Sequence, residues 1–348
     1  MSTPNVDDTS GPILTLDGLG RDFVVHAGGG RQVLRAVDEV SLTLIRGTTT
    51  SIVGESGSGK TTLARLVAGI DTPTRGRILL AGQDITHLRG RSRSRARRRV
   101  QMVFQDPHDS LDPRQRLGSI ITEPLRAAGW SRGDARTRAL EVLREVGLPE
   151  SALQRWPHEF SGGQRQRIGI ARAIGPGPAV AVLDEPTSAL DVSVQAAILG
   201  LLRRIQREQS LTYVSISHNL AVVRHLSDQV AVMYLGKIME AGPAAAVFSA
   251  PHHPYTKALL SAVPSVEPGA RRERIVLSGD LPSPLVRHAG CVFASRCPYV
   301  QPTRCRDEIP APRPLRSGQS VACHWAESIE AGALAPAARA VMPAATAL

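Results

Sequence analysis

Lysine is nearly missing from this chain. Of its 42 basic residues only Lys60, Lys237 and Lys257 are lysines, so arginine supplies almost all the positive charge and any lysine is conspicuous. No run approaches the roughly 18 to 20 uninterrupted apolar residues that a membrane-spanning helix needs, although 42% of the residues are apolar. The chain is therefore not expected to cross a bilayer itself. The opening MSTPNVDDTS is acidic where a secretory signal would have a basic region followed by an apolar one. That points to a cytosolic protein and leaves open peripheral docking on the cytoplasmic face of a membrane. Cysteine is absent from the first 290 residues, and the four present, Cys291, Cys297, Cys305 and Cys323, share one C-terminal window. In a cytosolic chain such a group suggests metal binding before disulfides.

The 348 residues are enough for one large α/β domain with a smaller appendage, or for two modest domains. Short apolar runs bounded by Gly, Pro or Asp read as buried strands: ILTLDGL, TTTSIVG, RILLAG, VQMVF, AVAVLD, TYVSIS and VAVMYLG. Helical segments lie between several of them. From Val192 to Gln209, residues Val194, Ala197, Ile198, Leu201, Leu202 and Ile205 fall on one stripe at helical spacing. Between about 106 and 173 the pattern is helical throughout, which predicts a helical subdomain inserted into an α/β domain spanning residues 12–263. A Pro- and Arg-rich module at 264–326 follows, and residues 1–11 and 327–348 are expected to be disordered. No internal repeat is visible, so the chain holds one such unit.

Residues Gly54, Glu55, Ser56, Gly57, Ser58, Gly59, Lys60, Thr61 and Thr62 read GESGSGKTT. They satisfy G-x-x-x-x-G-K-[ST] between a strand-like and a helix-like segment, the context a phosphate-binding loop requires. The glycines let backbone N–H groups face phosphates, and the following helix presents its positive end to anions. Lys60 would bridge the β- and γ-phosphates, and Thr61 would hold Mg²⁺ through its hydroxyl. Further on, VAVLDE ends an apolar strand in two carboxylates. Asp184 would ligate Mg²⁺, and Glu185 is placed to accept a proton from water attacking the γ-phosphate.

A second phosphate-suited helix start occurs at Ser161, Gly162, Gly163 and Gln164, in the segment SGGQRQR. One chain with one phosphate loop has no evident use for it. Here the chain resembles the ABC ATPases, whose signature LSGGQ matches FSGGQ at Phe160 to Gln164. The resemblance extends over about residues 13–262 and implies a RecA-like P-loop ATPase core, an antiparallel β subdomain and an inserted helical subdomain. It also implies that the signature of one subunit closes on the γ-phosphate of ATP held by the other. Gln105 matches the Q-loop glutamine, which senses Mg²⁺ and the γ-phosphate. SALD, ending at Asp191, matches the D-loop, and His218 matches the switch histidine, although Asn219 stands where the family has Asp. Phe23 sits where the family stacks an aromatic on adenine, with ordinary strand packing as the alternative.

QDPHDSLDPRQRLG and DEPTSALDVSVQ resemble, within that family, the ATPases of peptide/nickel importers, and SLDPR with FSGGQRQR resembles their F-type partner. The implied assembly holds a second ABC ATPase subunit, in a heterodimer or less favourably a homodimer. It also holds two transmembrane permease subunits and, through them, an extracytoplasmic solute-binding protein. HHPYTKALLSAVP, CVFASRCPYVQPTRC and VACHW resemble the C-terminal extension of these ATPases. The spacing C-x5-C-x7-C-x17-C suits four thiolate ligands. By resemblance a [4Fe–4S] cluster is expected, with zinc or reduced structural cysteines as alternatives.

The net charge of +11 and the stretch RGRSRSRARRRV invite a nucleic-acid partner or anionic lipid headgroups. No aromatic residue interleaves with these arginines to stack bases, so a solvated helix face is the plainer reading and no nucleic acid is expected. A soluble ABC ATPase acting on nucleic acid or ribosomes remains the rival. It usually carries two ATPase units in one chain, or a long insertion. An exporter ATPase is a third reading, disfavoured by the C-terminal module.

Overall fold

In the computed structural model, which describes residues 11–27, 30–105, 110–188, 190–262, 275–277 and 282–336, the chain divides into two compact units, before and after the Lys237–Ile238 peptide. The first unit opens with two long strands, β1 (Pro12–Ala27) and β2 (Gly30–Ile45), paired antiparallel from Pro12 with Ile45 to Ala27 with Gly30. β3 (Thr49–Val53) follows, then α1 (Lys60–Val67), β4 (Arg75–Leu80), β5 (Gln83–Asp84), α2 (Gly90–Arg99) and β6 (Val100–Val103). β4 pairs antiparallel with β1, which completes a four-stranded sheet in the order β2-β1-β4-β5. Ile13, Leu14, Leu16, Leu19, Val37 and Val40 are buried in this part of the fold.

Among the described residues the chain forms no strand between β6 and β7 (Val180–Asp184). α3 (Leu117–Ala127), α4 (Arg132–Glu145) and α5 (Gly162–Ile174) occupy that stretch. They bury Leu117, Ile120, Ile121, Ala139, Val142 and Leu143 in a common cluster. Ser131 caps α4, its hydroxyl accepting from the Asp134 amide at 3.1 Å. Residues 106–109, where the helical subdomain was expected to begin, lie outside the described residues.

The unit closes with α6 (Val192–Gln209), β8 (Thr212–Ile216), α7 (Leu220–Leu226) and β9 (Gln229–Tyr234). On α6 the expected stripe buries Ile198, Leu201, Leu202 and Ile205, whereas Ala197 is exposed and Leu199 takes a buried place instead. β9, β3, β8, β7 and β6 lie side by side and parallel. Every residue of β3, β7 and β8 is buried, as expected of parallel strands covered on both faces. Because the strands are parallel, their C-terminal ends share one edge, the usual place for a ligand in an open α/β sheet. Gly54, Gln105, Glu185 and His218 all follow such ends.

The second unit contains all but the first residue of β10 (Lys237–Pro243), with α8 (Ala244–Ser249), α9 (Pro254–Ser261), α10 (Arg304–Asp307), β11 (Arg313–Pro314), β12 (Ser320–Val321) and α11 (Ala326–Glu330). Tyr255, Phe293, Val321 and Ala326 are fully buried in it. Glu240, also fully buried, accepts from the amides of His252 at 2.8 Å and His253 at 3.0 Å and from Gln319 Nε2 at 3.1 Å. Three donors replace the water this carboxylate loses. The unit starts well before the Pro264 boundary expected from composition, because α8 and α9 pack with it. Order also continues past Ala326: α11 buries Ile329, Glu327 pairs with Arg313, and Glu330 Oε2 lies 3.1 Å from His252 Nδ1. The rest of the expected disordered tail, residues 337–348, and residues 1–10 lie outside the described residues.

Candidate nucleotide site

β3 ends in the loop that begins at Gly54, and the loop's backbone geometry explains its composition. Gly54 (φ 157°) and Gly59 (φ 102°) have left-handed backbones, and a Cβ at either would collide with a carbonyl oxygen, that of Met233 or Ala36. Gly59 also serves as N-cap of α1 and brings no side-chain acceptor. The first amides of α1 therefore face the loop without a side chain to cap them, which suits an anion. Lys60 Nζ turns back over the loop and donates to Gly54 O at 2.9 Å, Glu55 O at 2.7 Å and Ser58 Oγ at 3.3 Å. Desolvation lowers the Lys60 pKa, opposed by the charges of Glu185, Asp184 and Glu55. Ser56, Gly57 and Thr61 are exposed, while Thr62 is half-buried.

Asp184 ends β7 and is 4% exposed, and its Oδ1 has no hydrogen-bond partner. Desolvation, together with the neighbouring Glu185 charge, raises its pKa to about 6 against the pull of Lys60 and Arg65. An orphaned, buried carboxylate oxygen beside an anion cradle fits Mg²⁺, whose charge would restore the ionised form. Glu185 takes a left-handed backbone (φ 45°), and its amide donates to Ile216 O of β8 at 2.9 Å. Its carboxylate lies between two residues from other strand ends: Oε1 is 2.8 Å from His218 Nδ1, and Oε2 accepts from Gln105 Nε2 at 3.2 Å. The three side chains assigned to catalysis from sequence thus form one cluster. Asn219, which departs from the family pattern, caps α7 through Oδ1, accepting from Ala221 N at 3.0 Å and Val222 N at 3.4 Å. Asn and Asp serve this position about equally well.

The signature segment forms a capping box at the start of α5. Ser161 Oγ accepts from the Gln164 amide at 3.3 Å, while Gln164 Oε1 accepts from the Ser161 amide at 3.0 Å. Ser161 and Gln164 are exposed. Gly163 leaves no room for a side chain, since a Cβ would lie 2.5 Å from Val194 Cγ1, and one at Gly162 would lie 3.6 Å from Leu190 Cδ2. Asp191 caps α6, its Oδ1 accepting from Val194 N at 2.9 Å and Ser193 Oγ at 2.7 Å. Phe23 lies on β1 opposite Leu34, with the Arg21 guanidinium 4.5 Å from its ring centroid. Sequence reasoning missed the long-range partners of this site: the Met233 and Ala36 carbonyls against the loop, the Gly236 amide donating to Ser58 O at 2.9 Å, and Val194 against Gly163. No local pattern marks such contacts.

In the second unit all four cysteines line one small cavity with His253, Phe293, Tyr299, His324 and Trp325 among its walls. Burial pushes the Cys291 thiol up to about 12 and also raises Cys297 and Cys323, so these groups stay neutral at pH 7. Among the described residues no group of three or more His, Cys, Asp or Glu side chains is arranged to hold a metal ion. The arrangement therefore does not support the metal centre expected from the spacing. Without a cation, each buried thiolate would be an unpaired charge, which favours the protonated thiols.

Known proteins carry the same combination. The ABC transporter family matches residues 37–188, and the C-terminal region of oligopeptide/dipeptide transporters matches residues 239–305. The chain is 48% identical over 318 residues to the di/tripeptide transport ATP-binding protein DppF of Pseudomonas aeruginosa, covering 90% of this chain and 98% of that protein. It is 46% identical over 333 residues to the probable peptide ABC transporter ATP-binding protein y4tS of Sinorhizobium fredii, covering 94% of each. Among solved structures, a dimeric post-hydrolysis state of the ATP-binding cassette MJ0796 bound to ADP and Pi superposes with a TM-score of 0.60 at 28% identity, over 66% of this chain and 98% of that one. CbiO1 of Clostridium perfringens, part of the ABC transporter complex cbiONQ, does so at 0.60 and 28%, over 69% and 91%. The chain is a P-loop ATPase of the ABC class. It belongs to the ATP-binding proteins of ABC transporters, within the group that carries the oligopeptide/dipeptide C-terminal region, and nothing in these likenesses supports the nucleic-acid rival.

Proposed function

We propose that this chain is the ATP-hydrolysing subunit that powers import of di- and oligopeptides through an ABC transporter. The observation that carries the catalytic part is the Glu185 carboxylate held between His218 and Gln105 on the sheet edge that also bears the phosphate loop. The solute class rests on the peptide-transport names of the relatives.

Lys60 leaves its loop carbonyls to meet the β- and γ-phosphates, and the amides of Gly57 to Thr62 cradle them. Phe23 stacks on adenine. Thr61, Asp184 and Gln105 would hold Mg²⁺, which would supply neutralisation of phosphate charge. Glu185 accepts the proton of the attacking water, and His218 orients the carboxylate and the γ-phosphate. Ser161, Gly162, Gly163 and Gln164 act on the nucleotide of a second ATPase subunit, with Asp191 at that interface. A heterodimer is the proposed pairing, with two permease subunits at the cytoplasmic face of the membrane and a solute-binding protein beyond it. Among the described residues no helix is long and apolar enough to cross a membrane, in keeping with a peripheral subunit. Glu185→Gln should keep ATP binding and lower hydrolysis by roughly 10² to 10⁴-fold, the usual contribution of a general base. Turnover near the wild-type rate would refute the assigned base.

A second reading concerns the cysteines, because four thiols from distant positions share one cavity. A [4Fe–4S] cluster held by Cys291, Cys297, Cys305 and Cys323 would require these thiols to lose their protons and draw together, with zinc as the lesser candidate. Protein purified without oxygen should then be brown and contain iron. Colourless protein free of iron and zinc would leave four structural thiols.

A further inference from the structure

One cavity of the first unit takes no part in the nucleotide site. It encloses about 210 Å³ between the end of α1, β4 and α2. Its apolar lining comes from Val67, Ala68, Ile78, Ile85, Leu88 and Val100. Along one side run Arg93 and Arg97 of α2, spaced by four on one helical face, and Arg89, the extended residue just before that helix. The stem of Arg97 crosses Gly69, where a Cβ would lie 3.5 Å from Arg97 Cγ. Arg93 donates to Gly69 O at 3.1 Å. α2 buries none of its residues, and its first turn holds no acid. The single carboxylate in the lining, Asp71, is already paired with Arg65 at 2.9 Å. Three arginines therefore share this lining with hydrocarbon walls, and the one carboxylate among the lining residues is already paired.

We infer that this cavity binds an amphiphilic anion, a phosphate or carboxylate joined to a hydrocarbon portion. Arg89, Arg93 and Arg97 take the anionic head through charge-assisted hydrogen bonds, and Val67, Ile78, Ile85 and Val100 take the apolar part. A bare anion would leave the walls wet, and a neutral hydrocarbon would leave the guanidinium groups without a counter-charge. Only the combination satisfies both. The lining includes none of Lys60, Asp184 or Glu185, so a ligand there would be distinct from the nucleotide.

The test is calorimetric titration of the full chain with dodecyl phosphate below its micelle concentration, beside inorganic phosphate and neutral dodecyl maltoside. One dodecyl phosphate should bind per chain, and both controls should bind at least about tenfold more weakly, a difference of roughly 1.4 kcal/mol. Arg93→Gln with Arg97→Gln should weaken dodecyl phosphate at least as much by removing the head contacts. Ala96→Leu should do so by filling the cavity with every charge kept. ATP binding, measured in the same samples, should be unchanged and shows that the variants are folded. Vesicles of phosphatidylglycerol separate the sources of the ligand. Vesicle binding that Ala96→Leu removes identifies a lipid, and monomer binding alone identifies a soluble amphiphile. Equal affinity for inorganic phosphate, binding untouched by Ala96→Leu, or no binding of dodecyl phosphate would each overturn the inference.

Discussion

Asp184 carries the largest electrostatic tension of the nucleotide site. Its carboxylate is buried, one oxygen has no hydrogen-bond partner, and its pKa is raised from 3.8 to about 6. The folded protein therefore holds this proton more tightly than the unfolded chain does. The stability associated with the neutral acid is present below about pH 4, declines as pH rises through about 6, and is absent above it. Asp184→Asn removes that decline. Relative to the wild type, the nucleotide-free variant should gain on the order of 2 kcal/mol at pH 7.5 and close to nothing at pH 4. Urea unfolding at the two pH values measures the difference, and an identical pH dependence in both proteins would sink the account. Mg²⁺·ATP should stabilise the wild type and lose most of that effect in the variant. The same residue shows what sequence reading can reach. VAVLDE marks Asp184 as a metal ligand, but the missing hydrogen bond that makes it one depends on β8 and α1, which no window around residue 184 contains.

At the scale of elements, the starts of α5 and α6 approach closely at Gly163 and Val194. Gly163→Ala should overpack this contact and cost about 1 to 3 kcal/mol. Adding Val194→Ala should restore most of that stability, since the two residues share one contact. If the bare backbone at 163 is also needed to approach a phosphate, ATP hydrolysis stays low in the double variant although its urea midpoint recovers. Recovery of both would make Gly163 a packing residue only. Strand positions were legible for the same reason that the loop was. β3, β7 and β8 are buried on both faces and read as short apolar runs, and Gly54 to Thr62 form a contiguous motif. β2, which starts with a row of exposed residues, leaves no comparable run and was not foreseen. The gathering of Gln105, Glu185 and His218 required the β8-β7-β6 strand order, which is set by long-range pairing.

On the scale of the whole molecule, the boundary between the two units was the least legible feature. Composition changes near Pro264, yet the second unit begins at Ile238. Within that unit a buried carboxylate, Glu240, collects the backbone of His252 and His253 and the side chain of Gln319. The first unit poses a different question, since one chain offers a phosphate loop and an exposed, capped signature helix. The proposed two-subunit site gives each half a purpose, and it makes the rate a property of the assembly. Removing one preorganised donor from a reacting oxyanion costs on the order of 10² to 10³ in rate. An isolated chain lacks all the donors a second signature would bring, so its hydrolysis at nanomolar concentration should fall below that of the complete transporter by at least this factor. Adding the second ATPase subunit and the permeases should restore it, and Ser161→Arg in this chain should remove the hydrolysis of the nucleotide held by the second subunit while its own Lys60 site still binds ATP. Full turnover by the dilute isolated chain, unaffected by Ser161→Arg, would mean that the signature serves no second nucleotide.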